Sequence, residues 1–347
     1  MIVKNRDAGI DLARIVGIIA IVAGHVWIGV DLVYDAIYPW HVPLFFFLTG
    51  YLWRSWRPFR DEVKARSLTL ALPYLTWFTV LSVPFFVAIA ITRSNDLSGI
   101  ILDSLLGGSY AGRPYSAFWF VGALFAVTIL YRIMQRLPFW SHVAIAAGLL
   151  IVSYFIADAL IRVPLGFGLA LPALIFVVAG RAWRVHCHRL GHKAWWAVGA
   201  LIGCLALVAT GVSAPIDFKP GNLGTPVLTV AVGIVLSASV LELCRTVASV
   251  IPKAEGVITT LGSTGFTVIL AHGGVLWLLR TTDVGGLGDF LVALSIPWLV
   301  GVVALRTRLS RLITGAPRRL AVVPHKAALR TSGGGSWGEA AGGEEHS

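Results

Sequence analysis

Ten long apolar runs divide the chain, at about residues 9–30, 38–53, 68–92, 116–134, 138–157, 165–183, 193–213, 222–246, 257–279 and 287–305. A helix rises about 1.5 Å per residue, and roughly 20 apolar residues cross a bilayer core. The pattern therefore predicts an all-α polytopic bundle of about ten transmembrane helices, filling residues 1–312. The run at 38–53 is short, and behind Pro39 and Pro43 it is expected to be tilted or partly re-entrant. The first run has no small-residue cleavage pattern after it, so it reads as an uncleaved span. Residues 313–347 are predicted to be a cytoplasmic tail, basic at first and then Gly/Ser-rich and disordered ("TSGGGSWGEAAGGEEHS").

Composition agrees with a bundle in lipid. Hydrophobic residues make up 57% and charged residues 13%, too little charge to cover a soluble domain of this length. The net charge of +11 would suit nucleic acid, but its distribution argues against that partner. With the amino terminus in the cytoplasm, 23 Lys and Arg fall inside and 5 outside: Arg93, Arg113, Arg162, Lys219 and Arg280. That asymmetry predicts both termini and the 54–66 loop on the cytoplasmic side of a plasma (inner) membrane. Trp27, Trp40, Trp53, Trp119 and Trp183 fall near span ends, as interfacial belt residues do. Cys187, Cys204 and Cys244 have no CxxC spacing and read as packing residues.

Against this background the polar residues inside the runs stand out. "IDLARIVGIIAIVAGHVW" (10–27) carries Asp11, Arg14 and His25. Charged groups in a span are costly, face the bundle interior and mark function. Arg14 and His25 are eleven positions apart, which returns them to within roughly 20° of one helix face, about 16 Å apart along the axis. An imidazole at depth can act as a base or nucleophile, or simply tie helices together. Arg14 can grip a phosphate or carbonyl, snorkel to the boundary, or pair with Asp11 three residues earlier. His272, in "GSTGFTVILAHGGVLWLL", sits at a depth similar to His25, and the expectation is that Arg14, His25 and His272 line one interior cavity open to the cytoplasm.

Further along, "LTGYLW" offers a Thr49-Gly50 pair suited to close backbone approach. Arg54, Arg57, Arg60, Lys64 and Arg66 then crowd the following loop, either as topology and anionic-lipid charges or as the grip on a phosphorylated donor. His41 reads as interfacial, and His186, His188 and His192 as an exposed loop rather than a metal site, so no metal is expected. "WFVGALF" (119–125) is apolar core, and no P-loop, HExxH or GxSxG motif occurs.

Taken in series, "IDLARIVGIIAIVAGHVW", "VPLFFFLTGYLW", "KARSLTLALPYLTW", "FWFVGALF" and "LGSTGFTVILAH" resemble the acyltransferase-3 family of bacterial integral membrane O-acyltransferases, from Asp11 to about Trp277. The resemblance implies transfer of an acyl group, most often acetyl, from cytoplasmic acyl-CoA to a hydroxyl of a cell-surface or lipid-linked carbohydrate. It makes His25 the essential imidazole, acting as base or acyl carrier, and Arg14 its companion. Asp11 and His272 are supporting candidates, and Arg54, Arg57 and Arg66 candidates for donor binding. Two positions depart from the family pattern. Thr49 stands where serine is common, and the Arg-x-x-Arg pair of some members reads Arg66-Ser-Leu-Thr69. The extra periplasmic domain of longer relatives is not seen, and partners in glycan synthesis are conceivable. A transporter of acyl groups or polysaccharide intermediates is the rival class, since polar residues in spans also line passages.

Overall fold

The computed structural model describes residues 7–92, 96–187 and 193–318. Among them there is no β-strand, and 15 α-helices follow one another. The first six are α1 (Ala8–Val26), α2 (Asp31–Ile37), α3 (His41–Tyr51), α4 (Phe59–Arg66), α5 (Leu72–Ile91) and α6 (Leu97–Leu106). Next come α7 (Phe118–Met134), α8 (Phe139–Phe155), α9 (Ala157–Ile161), α10 (Ala170–His186) and α11 (Lys193–Ala209). The chain continues through α12 (Leu228–Val250), α13 (Glu255–Leu278), α14 (Leu287–Ala304) and α15 (Ser310–Thr314). Every predicted apolar run holds a helix.

Among the described residues six helical stretches are long and apolar enough to cross a membrane: Ala8–Val26, Phe59–Ile91, Pro164–His186, Leu228–Val250, Pro252–Leu278 and Leu287–Ala304. The chain is a multi-pass membrane protein. In the other runs α7, α8 and α11 have 17 residues each, and α3 has 11.

Burial sorts the helices into two layers. The outward faces of α5 and α14 expose Leu75, Val83, Val87, Leu291, Leu299 and Val303, a surface only lipid can cover without cost. In contrast, α1, α3, α7, α12 and α13 bury more than half of their residues, and α10 nearly half. α1 lies among them, packed on α3, α12, α13 and α14. It starts where the Asp7 carboxylate accepts from the Gly9 and Ile10 amides, at 3.0 and 3.3 Å, satisfying two of the free N–H groups of the first turn.

Small residues set the spacings. Gly50 of α3 lies against the backbone of Val177, and Gly180 of α10 against the backbone of Phe47, so α3 and α10 touch main chain to main chain. That is the close approach expected of the Thr49-Gly50 pair. Pro39 falls in the break between α2 and α3, and α3 has nine of its 11 residues buried. The short run is thus a wedge held inside the bundle. At the opposite end of the chain, α15 is also docked: Ile313 receives hydrogen bonds from Trp77 Nε1 and Thr267 Oγ1.

The tryptophans depart from the belt expectation. Trp53 and Trp119 are buried, Trp53 under the Arg132 guanidinium at 4.0 Å. Trp183 stacks on Trp196 and donates to Glu242, while Trp27 stacks on Phe290 and donates to Gly285. Each ring has a protein partner that outcompetes the interface. The three cysteines are free and buried.

Candidate active site

His25 stands in the last turn of α1, and the His272 ring of α13 lies 5.0 Å from it, tilted by 51°. His272 is fully buried. Its Nδ1 is 2.8 Å from the Val268 carbonyl, which can only accept, so Nδ1 carries the proton and Nε2 is left with a lone pair. That Nε2 has no hydrogen-bond partner among the described residues. The fixed tautomer turns His272 into an acceptor beside His25.

His25 opens into a cavity of about 470 Å3 that also meets His41, Tyr38, Arg113, Trp119, Asp217 and Lys219. Two loops build its walls. Arg113, between α6 and α7, donates to the His25 carbonyl at 2.7 Å and to the Thr281 carbonyl, clamping the end of α1 to the loop after α13. The segment between α11 and α12 buries Ile216 and Phe218, each 2% exposed, and brings Asp217 and Lys219 to the cavity wall beside them. An Asp217–Asn222 bridge closes this turn, and Lys219 Nζ donates to Ala111 at 2.7 Å. Burial pushes the Asp217 carboxyl up to about 6 and lowers the Lys219 amine. His41 is buried rather than interfacial, its Nδ1 3.0 Å from the Ile37 carbonyl.

Arg14 does not reach this cavity. It lines a second one, of about 320 Å3, together with Thr49, Arg66, Thr69 and the Thr314–Ala316 turn. The expected single chamber is two, because eleven helical positions separate Arg14 and His25 and bulky side chains fill the interval. Phe120 and Ile269 line both cavities. The Arg14 guanidinium is 2.9 Å from Asp11, which is buried under Gly262 of α13, so the predicted i,i+3 pair is present.

The arginines expected to bind donor divide among three environments. Arg66 lines the Arg14 cavity while its Nε donates to Glu62 at 2.7 Å. Arg57 turns to the same carboxylate at 3.3 Å. Arg54 is exposed, and its carbonyl accepts from Arg132. Glu62, 1% exposed, also takes Arg132 at 2.8 Å, so one buried acid holds three cations. Glu62 and Arg132 were not singled out from the sequence, and neither were Arg113, Asp217 and Lys219 as site residues. Only the local sign of charge hinted at them. Thr69, in the place of the second arginine of the family's pair, sits on a π-helical turn, Ser67–Ala71, beside the Arg14 cavity. His186 is exposed, and His188 and His192 lie outside the described residues.

The lipid-embedded bundle, with an inward-facing imidazole pair at one end of α1 and a cation cavity at the other, is the setting of a family match that makes the chain a membrane acyltransferase. The chain belongs to the acyltransferase-3 family, whose model, described as "Acyltransferase domain", matches residues 7–307. Among curated proteins it is similar to the nodulation protein NolL of Mesorhizobium japonicum, 28% identical over 163 residues, covering 41% of this chain and 42% of NolL. The match thus spans about two fifths of that relative's length. No solved structure matches.

Proposed function

We propose that the protein moves an acyl group, most simply acetyl, from acyl-CoA bound at the Arg14 end to a carbohydrate hydroxyl bound at the His25 end. The observation that carries this reading is that one helix, α1, presents Arg14 and His25 to two cavities at its opposite ends that meet at shared side chains. In the reaction His25 takes the proton as the sugar oxygen attacks the thioester carbonyl. The new C–O bond replaces the C–S bond, and the proton passes to the departing CoA thiolate. The His272 ring, packed 5.0 Å from His25, limits how the His25 ring can turn and so holds its basic nitrogen toward the hydroxyl. Arg14, held by Asp11, and Arg66, held by Glu62, form the electropositive entrance for the donor. Tyr38, Trp119 and Asp217 offer the aromatic and accepting surfaces that suit a sugar.

This reading places ten spans in a bacterial plasma (inner) membrane, with α3 as the short one and both termini and the 54–66 loop cytoplasmic, supported by the 23 to 5 division of basic residues. Carbohydrate or glycolipid acceptors, and glycan-synthesis proteins that deliver them, are the partners it implies. NolL is by its name a nodulation protein, which does not identify the acceptor. The test is transfer of labelled acetyl from acetyl-CoA to glycan in reconstituted vesicles. Label in glycan supports the enzyme, whereas passage of acyl groups or glycan without ester formation would replace it with the transporter reading.

A further inference from the structure

The two cavities meet at two shared side chains. Phe120 and Ile269, each 3% exposed, line the His25 cavity on one side and the Arg14 cavity on the other. The remaining walls of the narrows step past them along α1, with Ile18 on the Arg14 side and Ile21 on the His25 side. Phe120 is held edge-on by Phe45 and also packs on Phe46, at 5.5 and 5.6 Å between ring centroids. A clamped aromatic ring and one branched aliphatic side chain make a septum about one side chain thick.

We infer that Phe120 and Ile269 are the specificity-determining residues for acyl length: the acyl thioester must enter between them to meet His25, and the space their side chains leave admits a two-carbon group and rejects longer ones. This rests on the donor reading proposed above. Interiors are packed densely enough that a single methylene is felt, and one misfitting methylene costs roughly 10- to 200-fold in specificity. Phe120 sets the limit from α7 and Ile269 from α13, so shortening either should relax it.

Two measurements test the two halves separately. In a background with Cys187, Cys204 and Cys244 replaced by serine, His25→Cys is exposed to the membrane-impermeant thiol reagent sulfonatoethyl methanethiosulfonate, added at one face of sealed vesicles at a time. With the septum intact, labelling should occur from the His25 face only. Adding Phe120→Ala or Ile269→Ala should open labelling from the Arg14 face. Labelling from both faces with the septum intact, or from the His25 face alone in every variant, overturns the septum. Because this readout needs no activity, it stands apart from the proposed reaction.

The second measurement compares acetyl-, butyryl- and hexanoyl-CoA as donors to the glycan fraction of membrane vesicles, with His25 in place. The wild type should favour acetyl over hexanoyl by about 100-fold or more, and Phe120→Ala should narrow that ratio at least about tenfold. An unchanged ratio overturns the length limit. No transfer from any donor by the wild type overturns the donor reading, and the length limit with it. Should Phe120→Ala fail to fold, Phe120→Leu carries both tests.

Discussion

The two ends of α1 handle charge in opposite ways. At the Arg14 end the cations are paired with buried carboxylates: Arg14 with Asp11, and Arg57, Arg66 and Arg132 with Glu62. At the His25 end the cations hold main chain instead, Arg113 on the carbonyls of His25 and Thr281 and Lys219 on that of Ala111. Among the described residues neither imidazole there is ion-paired to a carboxylate, although Asp217 lines the same cavity. Ion pairs fix guanidinium positions while leaving a surplus of positive charge, which suits recognition of an anionic donor. Cations spent on backbone fix the shape of a pocket, which suits the positioning that proton transfer needs.

The sharpest way to break this comparison is at His25. His25→Ala should lower glycan acylation by about 10²- to 10⁴-fold while the protein remains inserted, as seen by labelled-acetyl transfer against membrane yield. Activity at the wild-type rate would remove the imidazole from the reaction. Glu62→Gln probes the other end, because it strands three arginines around a buried site. Loss of one partner in such a cluster costs about 3 to 5 kcal/mol, so its thermal unfolding in detergent should fall well below that of Asp11→Asn, whose Arg14 is partly exposed. Equal unfolding temperatures would show that the Glu62 cluster is no more structural than the Asp11 pair. Arg14→Lys keeps charge and loses the planar fork, and is expected to raise the apparent KM for acetyl-CoA about tenfold, roughly 1.4 kcal/mol, with little change in kcat. A fall in kcat alone would move Arg14 from donor binding to the chemistry.

The smallest effect is a dependence on pH. Asp217 holds its proton up to about 6 in the fold against an ordinary 3.8, so it favours the fold below about pH 4, and that contribution is lost as pH rises through 6. Asp217→Asn behaves as the protonated residue at every pH. The variant should therefore gain thermal stability over the wild type on going from pH 4.5 to 7.5, and a constant difference would place Asp217 in solvent.

What could be read from the chain itself follows from where the information lies. α1 announces itself as a long apolar run, and the Arg14 to His25 spacing follows from helical geometry alone, as does the Asp11 pair. His272 was reached through its depth in a second span. The division into two cavities was not legible, since it depends on Phe120 and Ile269 arriving from α7 and α13. Nor was Glu62, an ordinary acid in a basic loop until Arg132, 70 residues away, closes on it. Asp217 and Lys219 are loop residues that reach the cavity only because the burial of Ile216 and Phe218 seats their loop on the bundle. Trp53 and Trp119 are buried although their positions near span ends suggest the interface, because an interfacial ring and a buried ring share one sequence signature.

The meeting of Gly50 with Val177 and of Gly180 with Phe47 sets a schedule for biogenesis. α3 is too short to hold itself across a bilayer, and its stable seat is a helix that begins only at Ala170. Gly180 leaves the ribosome 130 residues after Gly50, which at about 5 to 20 residues per second is roughly 7 to 26 s. During that interval the segment bearing Thr49 must wait at the membrane surface or in the insertion machinery. The Arg14 cavity, which Thr49 lines, is thus completed late in synthesis, after the second half of the chain has entered the membrane.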